Sequence, residues 1–147
     1  VEVGGKNNLD KPIVIFTALG IPCYWIFDND LTEKKPKKGH LKSNRILQRL
    51  AGINAEDCVD HPSGIFKNFA AWDNKLESYV ESKVGSDKFS SACNEISAHF
   101  HIDSDMCLKF PAASSAILFM LKEGGAVFDE LDKVVAAIDA VLQEEIA

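Results

Sequence analysis

The run IPCYWIF, residues 21–27, has an apolar or aromatic side chain at almost every position. Side chains along a strand alternate faces, so such a run predicts a strand covered on both sides, as at the centre of a parallel sheet. Upstream, LDKPIVIFTALG (9–20) reads as a helix, with Asp10 placed to cap it, Pro12 in its first turn and Gly20 as a left-handed stop. Before that, VEV followed by GGKNN reads as a short strand entering a Gly-rich turn. Strand, helix and strand within thirty residues make a βαβ unit with a right-handed crossover. Ligands of such sheets bind beyond the carboxyl ends of the strands.

That end carries DND, residues 28–30. If the extended geometry persists, Asp28 and Asp30 point the same way and set two negative charges side by side. That arrangement is unfavourable unless a cation lies between them. Asp-Asn-Asp is also good turn chemistry. From the residues alone both readings stand, and the position at a strand's carboxyl end favours the metal.

The rest of the chain reads as mainly helical. LTEKKPKKGHLK (31–42) is expected to be a Lys-rich loop, and SNRILQRLAG (43–52) a short helix capped by Ser43 and stopped by Gly52. INAEDCVDHPSG (53–64) reads as irregular with a brief strand. AAWDNKLESYVESKVG (70–85) reads as a helix with Trp72, Leu76, Tyr79, Val80 and Val84 on its apolar stripe. Residues 88–100 form a weakly amphipathic segment. PAASSAILFMLKEGG starts a helix at Pro111 and stops it at Gly124, and the last helix carries Phe128, Leu131, Val135, Ile138 and Leu142 on one stripe. The expected organisation is one domain over 1–147, with an α/β core at 1–60 and a helical half at 65–147.

Charge is unevenly spread. The net charge of −6 argues against whole-surface nucleic-acid binding, yet seven of the sixteen Lys and Arg residues lie between Lys34 and Arg49. A basic patch on an acidic body fits a localised polyanion contact, or a solvated loop. The four cysteines, 23, 58, 93 and 107, have no framework spacing and read as reduced thiols of a cytoplasmic protein. No apolar run approaches the ~20 residues that span a bilayer. There is no signal peptide, and an opening without Met, directly on a strand, is expected of a piece of a longer chain.

Other residues could carry chemistry. Glu77 and Glu81, four apart, share one helix face. Lys109, between Leu108 and Phe110, could steady a phosphate or snorkel to solvent. Cys93, His99, His101 and Cys107 are spread as C-x5-H-x-H-x5-C, unlike the close pairs of structural zinc sites. Neither a G-x-x-x-x-G-K-[ST] loop nor a G-x-S-x-G elbow occurs.

Taken together, three segments resemble the C-terminal nuclease region of the OLD (overcoming lysogenisation defect) family of ATP-dependent endonucleases, which contains a Toprim domain. VEVGGKNNLDKPIVIFTALGIPCYWIFDND is similar to the family's second strand, Gly-Gly-Lys turn, helix and strand ending in Asp-x-Asp. NKLE and LKFPAA are similar to the starts of two later helices. The resemblance implies an α/β Toprim (Rossmann-like) parallel sheet flanked by helices, followed by a mainly helical C-terminal half. It implies a DNA endonuclease using two Mg²⁺ or Mn²⁺ ions, with ATP acting only through an ATPase domain of the parent chain.

Position by position, Asp28 and Asp30 match the metal-holding carboxylates, Glu77 a further acid toward a second ion, and Lys109 the basic residue near the scissile phosphate. Lys34, Lys35, Lys37, Lys38 and Lys42 would hold the DNA backbone without reading sequence. The chain departs from the pattern in two ways: the family's first strand, ending in Glu, does not precede Val1, and Lys75 stands where an acid can occur in NKLE. The implied partners are DNA and the parent ATPase domain, with a homo-oligomer left open and no membrane. The competing expectations are another Toprim chemistry, as in primases or topoisomerases, and a non-catalytic module that binds nucleic acid or a partner. The topoisomerase reaction needs a Tyr nucleophile, and Tyr24 and Tyr79 read as structural.

Overall fold

The computed structural model describes residues 5–31, 38–73, 75–104 and 107–144. The chain divides into two compact units, Val1–Lys75 with Glu130–Ala147, and Leu76–Asp129.

The first unit opens with a 3-10 turn, Lys6–Asn8, that runs straight into helix α1, Asp10–Ala18. Because Leu9 already has helical dihedrals and its N–H bonds to the Lys6 carbonyl, the turn itself leads into the helix. Asp10 is therefore the first helical residue and not the expected cap, and its Oδ1 is buried without a hydrogen-bond partner. Gly20 ends the element as expected, at φ 69. The expected strand VEV lies outside the described residues.

Strand β1 is Trp25–Asp28, shorter than the run from Ile21. A second strand, β2, spans Gly64–Ile65, and a third, β3, spans Phe69–Trp72. The sheet order is β1-β3-β2, with β1 parallel to β3 and β2 antiparallel to it. The register of the parallel pair sets Trp25 opposite Phe69 and Asp28 opposite Trp72. Residues 70–72 are thus strand where the sequence predicts helix, and the sheet runs past residue 60. Parallel pairing satisfies their backbone against β1, and Phe69, Ala70 and Ala71 are all buried.

Helix α2, Lys38–Leu50, falls between the two parallel strands, so the βαβ unit among the described residues is β1–α2–β3. It starts five residues before Ser43, which makes Ser43 interior and not a cap; its hydroxyl bonds back to the Gly39 carbonyl at 3.0 Å. Gly52, at φ 86, stops the helix as expected.

The core joins Ile13 of α1, Leu47 of α2, Trp25 and Phe27 of β1, and Phe69 and Ala71 of β3. Phe69 stacks against Trp25 and Phe27, with centroids 6.2 and 5.7 Å away. Only one face of β1 is sealed, since Ile26 stays 42% exposed. The run's double-sided apolarity therefore overstates its burial.

Helix α6, Asp129–Glu144, buries Val134, while Val135 and Leu142 are exposed. The expected stripe through 135 and 142 is offset by one position.

The second unit contains α3, Leu76–Val84; α4, Ser86–Phe100; a 3-10 turn, Cys107–Lys109; and α5, Pro111–Glu123. Gly85 at φ 86 separates α3 from α4, which ends at His101 in the left-handed region. Phe89, Cys93, Ile96, Cys107, Ile117, Leu121 and Phe128 are buried there. Pro111 opens α5 and Gly124 closes it, as expected. Among the described residues no helix is long and apolar enough to cross a membrane.

Candidate functional site

The carboxyl ends of β1 and β3 lie side by side because the two strands are parallel and in register. Beyond Asp28 the chain leaves the sheet. Asn29 makes a last backbone bond to the Trp72 carbonyl, 2.8 Å, and Asp30 takes a left-handed φ of 59. The extended geometry that would align Asp28 with Asp30 therefore stops at Asp28. Asp tolerates the left-handed region better than most residues, because its short side chain bonds locally.

Asn29, between the two acids, is fully buried. Its Nδ2 donates to the Pro62 carbonyl at 2.7 Å and to Asp73 Oδ1 at 2.9 Å, and its Oδ1 accepts from the Leu31 N–H at 2.8 Å. Its backbone carbonyl accepts from Asn44 Nδ2 at 2.9 Å and lies 3.0 Å from His61 Nδ1. A carbonyl can only accept, so His61 Nδ1 carries the proton.

Asn44 is the matching buried amide on α2. Besides Asn29 it donates to the Asp60 carbonyl at 2.7 Å, and its Oδ1 accepts from Lys6 Nζ at 2.9 Å. Lys6 Nζ also donates to the Asp28 carbonyl at 2.9 Å and forms an ion pair with Asp30 Oδ2. His40 Nδ1 stands 2.9 Å from that same carboxylate oxygen. Asp30 is thus ion-paired with Lys6 from the first turn, and the His40 imidazole of α2 lies beside the same oxygen.

One turn further along α2, Gln48 donates to the Val59 carbonyl (2.7 Å) and accepts from the Val59 N–H (3.0 Å), pinning the loop that carries Asp60 and His61.

The expected site residues fall as follows. Asp28 and Asp30 lie together at the end of β1, in the first unit. Glu77, in the first turn of α3, and Lys109, exposed at the end of a 3-10 turn, both belong to the second unit. Lys34, Lys35 and Lys37 lie outside the described residues. Lys38 opens α2, and Lys42 is exposed on that helix, so 38–42 is helical and not loop. Arg45 and Arg49 follow Lys42 at spacings of three and four, giving α2 a basic exposed stripe. Arg45 Nε pairs with Asp60 Oδ1 at 2.6 Å.

Sequence reasoning gave no role to Lys6, Asn29, His40, Asn44, His61 or Asp73. One signal was available for Asp73: NFAAWDN mirrors YWIFDN, each an apolar run closed by Asp-Asn.

In the second unit, Glu81 accepts from Ser86 Oγ at 2.6 Å. Cys93 and Cys107 are buried, whereas His99 and His101 are exposed. Burial, and then the Cys107 side chain bonded to it, push the Cys93 thiol up to about 11. Among the described residues no three His, Cys, Asp or Glu side chains are gathered so as to hold one metal ion. Tyr24 donates to the Phe66 carbonyl at 3.3 Å and burial raises its pKa, while Tyr79 packs its ring at 6.5 Å from that of Phe128.

Residues 1–30 match the family model described as overcoming lysogenization defect protein-like, TOPRIM domain. The matched segment ends on Asp30. Neither the curated proteins nor the solved structures contain a match to this chain.

Proposed function

We propose that this chain is the nuclease part of a longer, OLD-like protein, and that it cleaves DNA phosphodiester bonds with Mg²⁺ or Mn²⁺ taken up beyond the carboxyl end of β1. In this reading Asp28 and Asp30 hold metal, Glu77 serves a second ion, and Lys109 offsets charge at the phosphate. ATP enters only through an ATPase domain elsewhere in the parent chain.

One coincidence carries the reading. The segment that matches the Toprim model ends at Asp30, and Asp30 follows a strand paired in parallel, where crossover sheets take their ligands. The nearby oxygens, carboxylates of Asp28, Asp30 and Asp73, are of the kind a hard divalent cation prefers. As arranged they are not gathered round one point, and Asp30 is already ion-paired with Lys6. The basic stripe of α2, with the lysines that precede it in sequence, suits a phosphate backbone and no particular sequence.

The Lys6–Asp30 pair favours a second reading, in which the acids are neutralised within the fold and the chain binds nucleic acid without cutting it. Nicking of supercoiled plasmid with Mn²⁺, beside a gel-shift assay, separates the two. The nuclease reading expects cleavage by the wild type and its loss in Asp28→Ala, with DNA binding retained. Cleavage by Asp28→Ala at the wild-type rate overturns the site, and binding without cleavage by the full-length parent supports the second reading.

A further inference from the structure

Lys6 is closely surrounded by oxygens. Its side chain is 9% exposed, and its ammonium faces three oxygens of different chemistry: the Asp28 carbonyl, the Asn44 amide oxygen and the Asp30 carboxylate. An ammonium has three N–H donors, so this tripod fills its hydrogen-bonding capacity. The oxygens come from the end of β1, the left-handed residue after it and α2, and those of Asp28 and Asn44 are fixed by structure that Lys6 does not supply. Asp28 is held in the β1–β3 ladder, and Asn44 is held by its bonds to Asn29 and Asp60.

Carbonyl, amide and carboxylate oxygens converging on one point are also the ligands that hard metal ions take, at shorter distances than the 2.9 Å of an N–H···O bond. A divalent ion on Asp30 Oδ2 and an ammonium on the same oxygen would stand within a few ångströms of each other. Like charges so close exclude one another in a partly buried site. We propose that Lys6 is the resident cation of this pocket, and that a divalent ion gains Asp30 only by displacing its ammonium. The proposal rests on the reading of Asp28 and Asp30 as metal-holding residues. It makes Lys6 a positioning group that keeps the carboxylate neutralised and in place until metal arrives, and that sets how much metal is needed.

The test is calorimetric titration of Mn²⁺ into the 147-residue chain and its Lys6→Met and Asp30→Asn variants. Removing the ammonium while keeping the oxygens should tighten Mn²⁺ binding at least tenfold, and Asp30→Asn should abolish it. Equal or weaker binding by Lys6→Met, with binding still lost in Asp30→Asn, overturns the role of Lys6 and leaves the metal site standing. No binding by any of the three overturns both.

Should Lys6→Met fail to fold, proton–nitrogen NMR of the wild-type ammonium decides the matter. The protected Lys6 signal should disappear as Mg²⁺ is added and shifts near Asp30 saturate. A Lys6 signal that persists unchanged at saturation overturns the proposal, as does the absence of any Mg²⁺-induced shift near Asp30.

Discussion

Asn29 Nδ2 and Asp73 Oδ1 are 2.9 Å apart, a hydrogen bond that ties the end of β1 to the end of β3 across 44 positions of sequence. Through Asn29 the same tie reaches α2 and, by way of Asn44, Lys6 and Asp30. The fully buried member of DND is therefore its middle residue, and the acids on either side are placed by it.

Replacing Asn29 with Ala removes three side-chain hydrogen bonds and leaves the Pro62 carbonyl, Asp73 and the Leu31 N–H to find other partners. Unsatisfied buried groups cost about 1–3 kcal/mol each when water cannot reach them. Partial access at Asp73 and Leu31 brings the expected total to roughly 3 kcal/mol. Urea unfolding followed by circular dichroism should show the loss. A change under ~1 kcal/mol, the net worth of a single ordinary bond, would mean the network does not hold the strand ends.

Ser43→Ala distinguishes the helix start observed from the one expected. Loss of an N-cap costs about 1 kcal/mol. Ser43 instead lies inside α2, where its hydroxyl bonds Gly39 and Asn7 near the surface, and Ala is the better helix former. Thermal unfolding should place the variant within ~0.5 kcal/mol of the wild type, the usual range for a surface change.

The Cys93 thiol should make stability fall at alkaline pH. Its folded pKa of about 11 exceeds the ordinary 9.0, mainly through burial and next through the bonded Cys107 side chain. Folding thus favours the protonated thiol, so this contribution is complete below pH 9 and disappears as pH rises through 11. Urea midpoints measured at pH 8 to 11 should fall more steeply for the wild type than for Cys93→Ala. Cys93 should also react with iodoacetamide more slowly than the half-buried Cys23.

If the stripe on α2 meets DNA phosphates, Lys42→Ala and Arg49→Ala should each weaken binding to all sequences alike. Each should also make the slope of log K against log salt shallower by about one. Arg45→Ala should have a smaller effect, because its guanidinium is shared with Asp60. Fluorescence anisotropy with two unrelated duplexes at several salt concentrations measures both quantities.

Some of this could be read from the residues and some could not. The stop of α1 at Gly20, the stop at Gly52 and the span of α5 follow from local signals that tertiary structure leaves alone. Residues 70–72 do not: Ala-Ala-Trp contains good helix formers, and pairing with β2 and with β1, some forty residues away, makes them a strand. The start of α2 was hidden because lysines and a glycine look like a loop, although Asn44 and Gln48 are buried polar residues that need a helix to aim them. Asp28 and Asp30 were visible as acids at a strand end. The groups around them, Lys6, His40 and Asn44 of α2, and Asp73, come from three separate stretches, and no local pattern links them.

The parallel pairing of β1 and β3 also sets an order of events during synthesis. Asp28 and Asp30 leave the ribosome first, and the strand that fixes their backbone and the Asp73 that anchors Asn29 emerge about forty residues later. Until then the two acids are a hydrated pair on an unanchored chain, with neither the tripod around Lys6 nor the amide between them locked in place. The pocket consequently cannot take shape before β3 is made, and a nascent chain halted before Asp73 carries its acids without their scaffold.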